Sequence, residues 1–322
     1  MRRAAVAVVG AGSIGTSWAV VFARGGHRVG IHDPDPDRLA AALTEIGERL
    51  QALADAELLT EPAAEIAGRV TVCGELAEAL AGALHVQECA PERLELKRDL
   101  LATIDATVDP DAVIASSSSA LTISQTAGHL RGRARCLVAH PANPPHLLPV
   151  VELVPAPFTD PAAIDRTSAR LAAAGMSPVR IGREIEGFVY NRLQGAVLRE
   201  AYCLVRDGVV GVDDLDRVMR EGLGRRWAVI GPFETADLNT RGGITEHARR
   251  MWPAYARMGR ERGQDDPWDE VLVAEVAAQR RALLALEDWE RRVAWRDRQL
   301  IGQEQARRRS ASNATRGDDL AL

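Results

Sequence analysis

The start of the chain restricts the fold more than any other stretch. Ala4 to Val9 is a wholly apolar run, the pattern of a strand buried on both faces. It leads directly into Gly10-Ala11-Gly12-Ser13-Ile14-Gly15, then into a helical pattern that ends at Gly25-Gly26. A second strand, His27 to His32, ends on Asp33. Strand, glycine loop, helix, strand and acid, in that order, form the dinucleotide-binding fingerprint of a βαβ unit. The first glycine permits the tight turn, the second lets backbone approach a pyrophosphate, and the third lets helix and strand pack closely. The helix N-terminus offers N–H groups and a dipole to phosphates. Asp33 accepts hydrogen bonds from the adenosine ribose hydroxyls and repels a 2′-phosphate, so the expected cofactor is NAD and not NADP. Gly10, Gly12, Ser13, Ile14, Gly15 and Asp33 are the cofactor-binding candidates of this unit.

Further strand-like runs follow at Val70–Cys73, Leu84–Cys89, Ala112–Ala115, Cys136–Ala139, Val150–Val154 and Pro178–Ile181. Leu39, Leu43, Ile46, Leu50 and Leu53 are spaced as on one face of a helix. Helical patterns near Leu94–Ile104 and Ala162–Ala173 separate other strands. This alternation predicts an α/β fold, a Rossmann-type sheet covered on both faces, over residues 1–184. After Gly187 the texture changes. Val189, Leu193, Val197, Ala201 and Leu204 form a long helical stripe, and patterns near Val212–Glu221 and Asp269–Leu300 continue it. Residues 185–306 are therefore expected to be an all-helical domain. The polar, Ser/Arg-rich stretch 307–322 is expected to be disordered.

Several function classes are excluded by composition. A net charge of −5 leaves no basic excess for tracking nucleic-acid phosphates. Cys73, Cys89, Cys136 and Cys203 are widely spaced, without CxxC or neighbouring histidines, which predicts reduced thiols and no metal. Met1-Arg2-Arg3 and the apolar run behind it resemble a signal peptide, but the glycines have the explanation given above. No segment reaches the roughly 20 apolar residues of a membrane span. The expectation is a cytoplasmic protein without membrane or nucleic-acid partners.

The chemistry is expected in Leu137 to Pro155. An apolar strand ends on His140, a proline-rich turn follows, and the next strand carries Glu152 on the same face as Val150 and Val154. A carboxylate between two valines needs a partner, and His140 is the nearest one. The pair is either a histidine base oriented by a carboxylate or a capped loop histidine beside an edge-strand acid. Ser116 to Ser119 ends another buried strand, where a hydroxyl would either meet a ligand or cap a helix. Asn191 lies about 200° around its helix from the apolar stripe, so it faces either solvent or the first domain. Of the 40 basic residues, only Lys97 is a lysine.

Together these residues resemble the L-3-hydroxyacyl-CoA dehydrogenase superfamily, through SSSSAL, AHPANP, VVELV, GFVYNRL and QECAPERLELK. The resemblance places Ser119, His140, Glu152 and Asn191 on the family's catalytic serine, histidine, carboxylate and asparagine. It places Glu92 and Lys97 beside the nicotinamide and its ribose, and Ser117 and Asn143 among the other cofactor-side contacts. Within the superfamily the chain is most similar to the lambda-crystallin branch, which includes L-gulonate 3-dehydrogenase. The mainstream acyl-CoA enzymes carry Asn at Ser117 and aromatic residues after His140, where this chain has Pro141-Ala142. The branch therefore implies an NAD-dependent dehydrogenase of a small, polar L-3-hydroxy acid, acting as a homodimer through its helical domain. The alternatives are a 3-hydroxyacyl-CoA dehydrogenase or an idle, crystallin-like NAD-binding protein. Arg226, with Arg225 as its neighbour, is either the clamp for a substrate carboxylate or a surface arginine. If Asn191 comes from the helical domain, catalysis requires domain closure.

Overall fold

A computed structural model describes residues 5–239, 243–262 and 285–317, with the single positions 271, 278 and 282. The chain forms two compact units, one of residues 1–192 and 294–322 and the other of residues 193–293.

The first unit alternates as the sequence predicts. It runs β1 (Ala5–Val9), α1 (Ser13–Arg24), β2 (Arg28–His32), α2 (Pro36–Asp55), α3 (Ala63–Ala67), β3 (Val70–Val72), α4 (Leu76–Leu80) and β4 (Ala83–Glu88). Next come α5 (Leu94–Thr107), β5 (Val113–Ser116), α6 (Ile123–Ala127), β6 (Cys136–Pro141), β7 (Val150–Pro155), α7 (Pro161–Ala173) and β8 (Ser177–Arg180). The strands form one sheet in the order β3-β2-β1-β4-β5-β6-β7-β8. Every pair is parallel except β6–β7, whose connection is a turn and not a crossover helix. Both faces of the sheet are covered. Trp18 and Phe22 of α1 pack on one face with Ile46, Leu50 and Leu171. Leu101, Ile104 and Ile123 from α5 and α6 pack on the other.

Local chemistry explains the element ends. The Asp35 side chain accepts from the N–H groups of Asp37 and Arg38, and Pro36 occupies the first turn, so α2 starts there. Of its expected stripe, Leu39, Ile46, Leu50 and Leu53 are buried, whereas Leu43 is exposed. The short helices α3, α4 and α6 are too brief to show a period in the sequence.

The second unit is helical. It contains most of α8 (Tyr190–Arg206), then α9 (Val212–Arg217), a π-helical segment (Val218–Leu223), α10 (Gly224–Trp227), α11 (Pro232–Leu238) and α12 (Gly243–Arg262). No strand follows β8 among the described residues. The α8 stripe departs from expectation: Val189, Leu193 and Val197 are exposed, and the buried side chains of the helix are Cys203 and Val205. Periodicity shows that a face is apolar, not that this single chain covers it. Much of the expected helix over Asp269–Leu300 lies outside the described residues, but α13 (Trp289–Gly317) takes up its last part.

The tail requires a correction. Residues 307–317, expected to be disordered, continue α13. Arginine, alanine and glutamine favour helix intrinsically, and the helix finds partners on the first unit. Arg308 donates to the Leu58 carbonyl at 3.0 Å and pairs with Glu304 at 2.9 Å, while Ile301 packs against the core beside α1 and α2.

Candidate active site

The order of the sheet reverses between β1 and β4, and the loops leaving these two strands meet there. Gly10 N–H donates to the His32 carbonyl and Cys89 N–H to the Val9 carbonyl, both at 2.7 Å. Gly10 has a φ of 107°, and a Cβ there would come within 2.7 Å of the Cys89 carbonyl oxygen. A Cβ on Gly15 would lie 1.8 Å from the Gly10 carbonyl oxygen. These two glycines are required by the protein itself. Gly12 differs, since a Cβ there would meet nothing within 4 Å, which leaves its backbone open to a ligand. No side chain caps α1 at Gly12, and its first turn holds no acid. The N–H groups of the helix start are thus left for an anion, which fits a dinucleotide pyrophosphate. Asp33 accepts from Ala11 N–H at 2.7 Å and from Asp35 N–H at 3.0 Å, which holds its carboxylate at the end of β2.

Beside this loop lies a cavity of about 310 Å³, lined by Ile14, Cys89, Ala90, Glu92, Ser117, Ser119, His140, Pro141 and Asn143. It lies at the C-terminal ends of the parallel strands, where ligands of open α/β sheets bind. The antiparallel β7 brings the N-terminal part of its own strand to the same end. The β6–β7 register sets His140 directly opposite Glu152. Their Nδ1 and Oε2 atoms are 2.9 Å apart, and both residues are buried. The second Glu152 oxygen accepts the N–H groups of Val189 at 2.8 Å and Tyr190 at 3.0 Å. Burial alone would raise the Glu152 pKa, but the His140 bond and the two backbone donors outweigh it and hold the carboxyl below its ordinary value. A carboxylate on Nδ1 leaves Nε2 of His140 for proton exchange.

The serine run divides its work. Ser116 Oγ donates to Glu88 at 2.5 Å, and Ser118 Oγ donates to Glu92. Ser117 Oγ accepts from Trp18 Nε1 at 3.0 Å and Gln87 Nε2 at 2.8 Å. Ser119 lines the cavity, and among the described residues no hydrogen bond engages its hydroxyl. The helix-cap alternative does not hold for these serines, because Thr122 caps α6 together with Gln125. Asn191 Nδ2 donates to the Ser119 carbonyl at 2.8 Å, which removes the solvent-facing alternative. Asn191 also belongs to the first unit, so no closure of the helical unit is needed to bring it to Ser119.

Sequence reasoning missed Glu88. It is fully buried at the end of β4, and it accepts Lys97 Nζ at 2.8 and 3.0 Å and the Ala90 N–H at 2.6 Å. Lys97 is itself buried and donates to the Ala90 carbonyl at 3.0 Å. The sole lysine therefore lies beneath the site, tying down the loop that carries Glu92. An acid closing an apolar strand nine residues before that lysine was the available signal. Glu92 collects the N–H groups of Ser119, Ala120 and Leu121. Its burial opposes ionisation, yet these donors, Ser118 and the Lys97 charge keep its carboxyl below the ordinary value. Arg225 and Arg226 belong to the other unit, where both are exposed on α10.

Fold and cofactor loop define an NAD-dependent oxidoreductase. The chain belongs to the 3-hydroxyacyl-CoA dehydrogenase family: residues 5–185 match its NAD binding domain and residues 187–282 its C-terminal domain. Among its relatives, the lambda-crystallin of Oryctolagus cuniculus is 47% identical over 239 residues, covering 74% of this chain and 75% of that protein. The L-carnitine dehydrogenase of Streptomyces griseus is 42% identical over 233 residues, covering 71% and 68%. A solved structure of 5-formyl-3-hydroxy-2-methylpyridine 4-carboxylic acid 5-dehydrogenase, an NAD-dependent dismutase, is 25% identical with a TM-score of 0.82. That match covers 94% of this chain and 98% of the other. Among the described residues no helix is long and apolar enough to cross a membrane, and no cluster of metal-ligating side chains occurs.

Proposed function

We propose that the protein interconverts a small, polar L-3-hydroxy acid, of the size and polarity of L-gulonate, and its 3-keto form. The observation that carries this reading is the His140–Glu152 pair at the wall of a cavity shared with Ser119 and the loop after β4. NAD, when bound, supplies the hydride acceptor for carbon 3. Gly10, Gly12, Ser13, Ile14 and Gly15 seat its pyrophosphate and Asp33 its ribose, with Glu92, Ser117 and Asn143 around the nicotinamide end. In oxidation His140 takes the hydroxyl proton, and in reduction it returns that proton. Glu152 fixes the imidazole tautomer and stabilises the imidazolium, the part an orienting carboxylate plays in a catalytic triad. Ser119 donates to the reacting oxygen, and Asn191 holds the Ser119 backbone and offers its amide to the same oxygen. Lys97 acts through Glu88 and Glu92, positioning the loop.

A free acid is favoured over a thioester by Pro141-Ala142 after His140, which gives the turn small, rigid walls. The identity to an L-carnitine dehydrogenase supports the same substrate class, since carnitine is itself a 3-hydroxy acid. A 3-hydroxyacyl-CoA dehydrogenase of Gibberella moniliformis, 35% identical over 96% of this chain, supports the thioester alternative. Comparing kcat/KM for L-gulonate, L-carnitine, 3-hydroxybutyrate and 3-hydroxybutyryl-CoA decides between them. NADH binding without turnover of any of the four would instead establish the idle, crystallin-like reading.

Arg226 is the proposed clamp for the substrate carboxylate, with Arg225 as its substitute. Arg226→Ala should raise KM for the free acid far more than it weakens NADH binding, and equal effects would refute the assignment. A homodimer through the helical unit is supported by the exposed Val229, Phe233 and Trp252 side chains. A cytoplasmic setting is supported by the wide spacing of the four cysteines, the pattern of reduced thiols.

A further inference from the structure

A second cavity, of about 350 Å³, lies in the first unit and shares no lining residue with the one beside His140. It is bordered by the last turn of α1, the end of α2, the turn after β6, the end of α7 and α13, and opens to solvent. Two arginines line it, Arg24 of α1 and Arg308 of α13, together with Glu304. Arg308 is engaged by Glu304 and the Leu58 carbonyl. Arg24 makes no hydrogen bond or ion pair with any described residue. A helix-capping role does not explain it, because the last carbonyls of α1 have other donors. The Val21 carbonyl accepts from Gly25, the Phe22 carbonyl from His27, and the Ala23 carbonyl from Gly26 and the Arg69 side chain. Burial and the nearby Arg308 charge lower the Arg24 pKa from its ordinary value, with Glu304 acting in the opposite direction. A half-buried guanidinium on the wall of a cavity gains from an anion that joins it there.

The charges in the wall define that anion. Arg24 has no acid paired with it among the described residues, so a single carboxylate balances it, whereas a dianion would turn its second charge on Glu304. Leu53, Leu58 and Leu147 supply an apolar side. We propose that this cavity binds a short-chain aliphatic carboxylate, its head between Arg24 and Arg308 and its chain against the three leucines. Such a ligand bridges α13 to α2, because Arg308 and Glu304 lie on one while Leu53 and Leu58 close the other.

Hexanoate is a suitable probe for titration calorimetry on the full chain saturated with NADH. Binding should saturate at one per chain and slow amide exchange over residues 301–309. Arg24→Gln should weaken it at least about tenfold, the loss of a bidentate guanidinium–carboxylate contact. That variant should leave kcat and KM measured without hexanoate unchanged, and removal of a half-buried charge with no partner among the described residues should not lower its Tm. Leu147→Trp, which fills the cavity from its apolar side, should also abolish binding and tests the site independently of Arg24. The proposal is overturned by absence of saturable binding up to about 10 mM, by wild-type affinity in either variant, or by dianionic phosphate binding as tightly as hexanoate.

Discussion

The two compact units bury their side chains very differently. In the first, the largest apolar residues vanish from solvent: Trp18, Phe22, Leu50 and Leu101 are all fully buried. Its buried charges are matched as well, Glu88 by Lys97 and Glu152 by His140. In the second, the buried hydrophobic residues among those described are Cys203, Val205 and Val212, while Val229, Phe233 and Trp252 are 85%, 80% and 69% exposed. The sheet unit completes its own interior. The helical unit leaves large apolar side chains exposed, which in our proposal a second copy of the chain covers. In our proposal, chemistry belongs to the first unit and assembly to the second.

The comparison breaks first at His140. His140→Ala should lower kcat by roughly 10²–10⁴, the range for a positioned acid–base group, with NADH affinity unchanged. Glu152→Gln should follow at a smaller loss, and an unaltered rate in either would remove the site from the sheet unit. The glycine loop sharpens the picture next. Gly15→Ala should cost roughly 3 kcal/mol or more of stability, because its methyl would overlap the Gly10 carbonyl. Gly12→Ala should leave Tm unchanged and weaken NADH binding on the order of tenfold, its methyl displacing a phosphate and not the protein.

Assembly comes third. Sedimentation of the wild type should give twice the chain mass, and Val229→Glu with Phe233→Glu should raise the dissociation constant roughly tenfold or more. Monomeric wild-type protein would leave the helical surface without its proposed partner. The smallest effect is electrostatic. The Glu92 and Glu152 carboxyls are depressed in the folded chain, so their contribution is complete above about pH 4.5 and is lost as pH falls through the folded values. Thermal melts from neutral to acid pH should decline in that range, and less steeply for Glu152→Gln.

What could be read in advance follows the same division. The βαβ unit, the strand ends within a residue or two and the pairing of His140 with Glu152 were legible, because alternation and buried polarity leave few alternatives. Asn191 and Ser119 were ambiguous as sequence, since a polar residue off an apolar stripe faces solvent as readily as a site. Glu88 was missed because the loop after it, not its own strand pattern, reveals what it binds. The α8 stripe misled for a different reason: an apolar face says nothing about which surface covers it. The tail misled because low hydropathy suggests disorder, whereas a polar helix needs only a few carbonyls and one isoleucine to dock.

That last docking has a thermodynamic consequence. The chain leaves the sheet unit after Arg192 and rejoins it at Ala294, so both ends of the helical unit are tethered to one folded body. If residues 193–293 unfold while the sheet unit stands, they form a closed loop instead of a free tail. For a loop of about 100 residues the closure entropy is roughly 4 kcal/mol, denied to the unfolded form and so credited to the folded one. A segment with few buried residues among those described thus gains stability from where it leaves and rejoins the sheet unit.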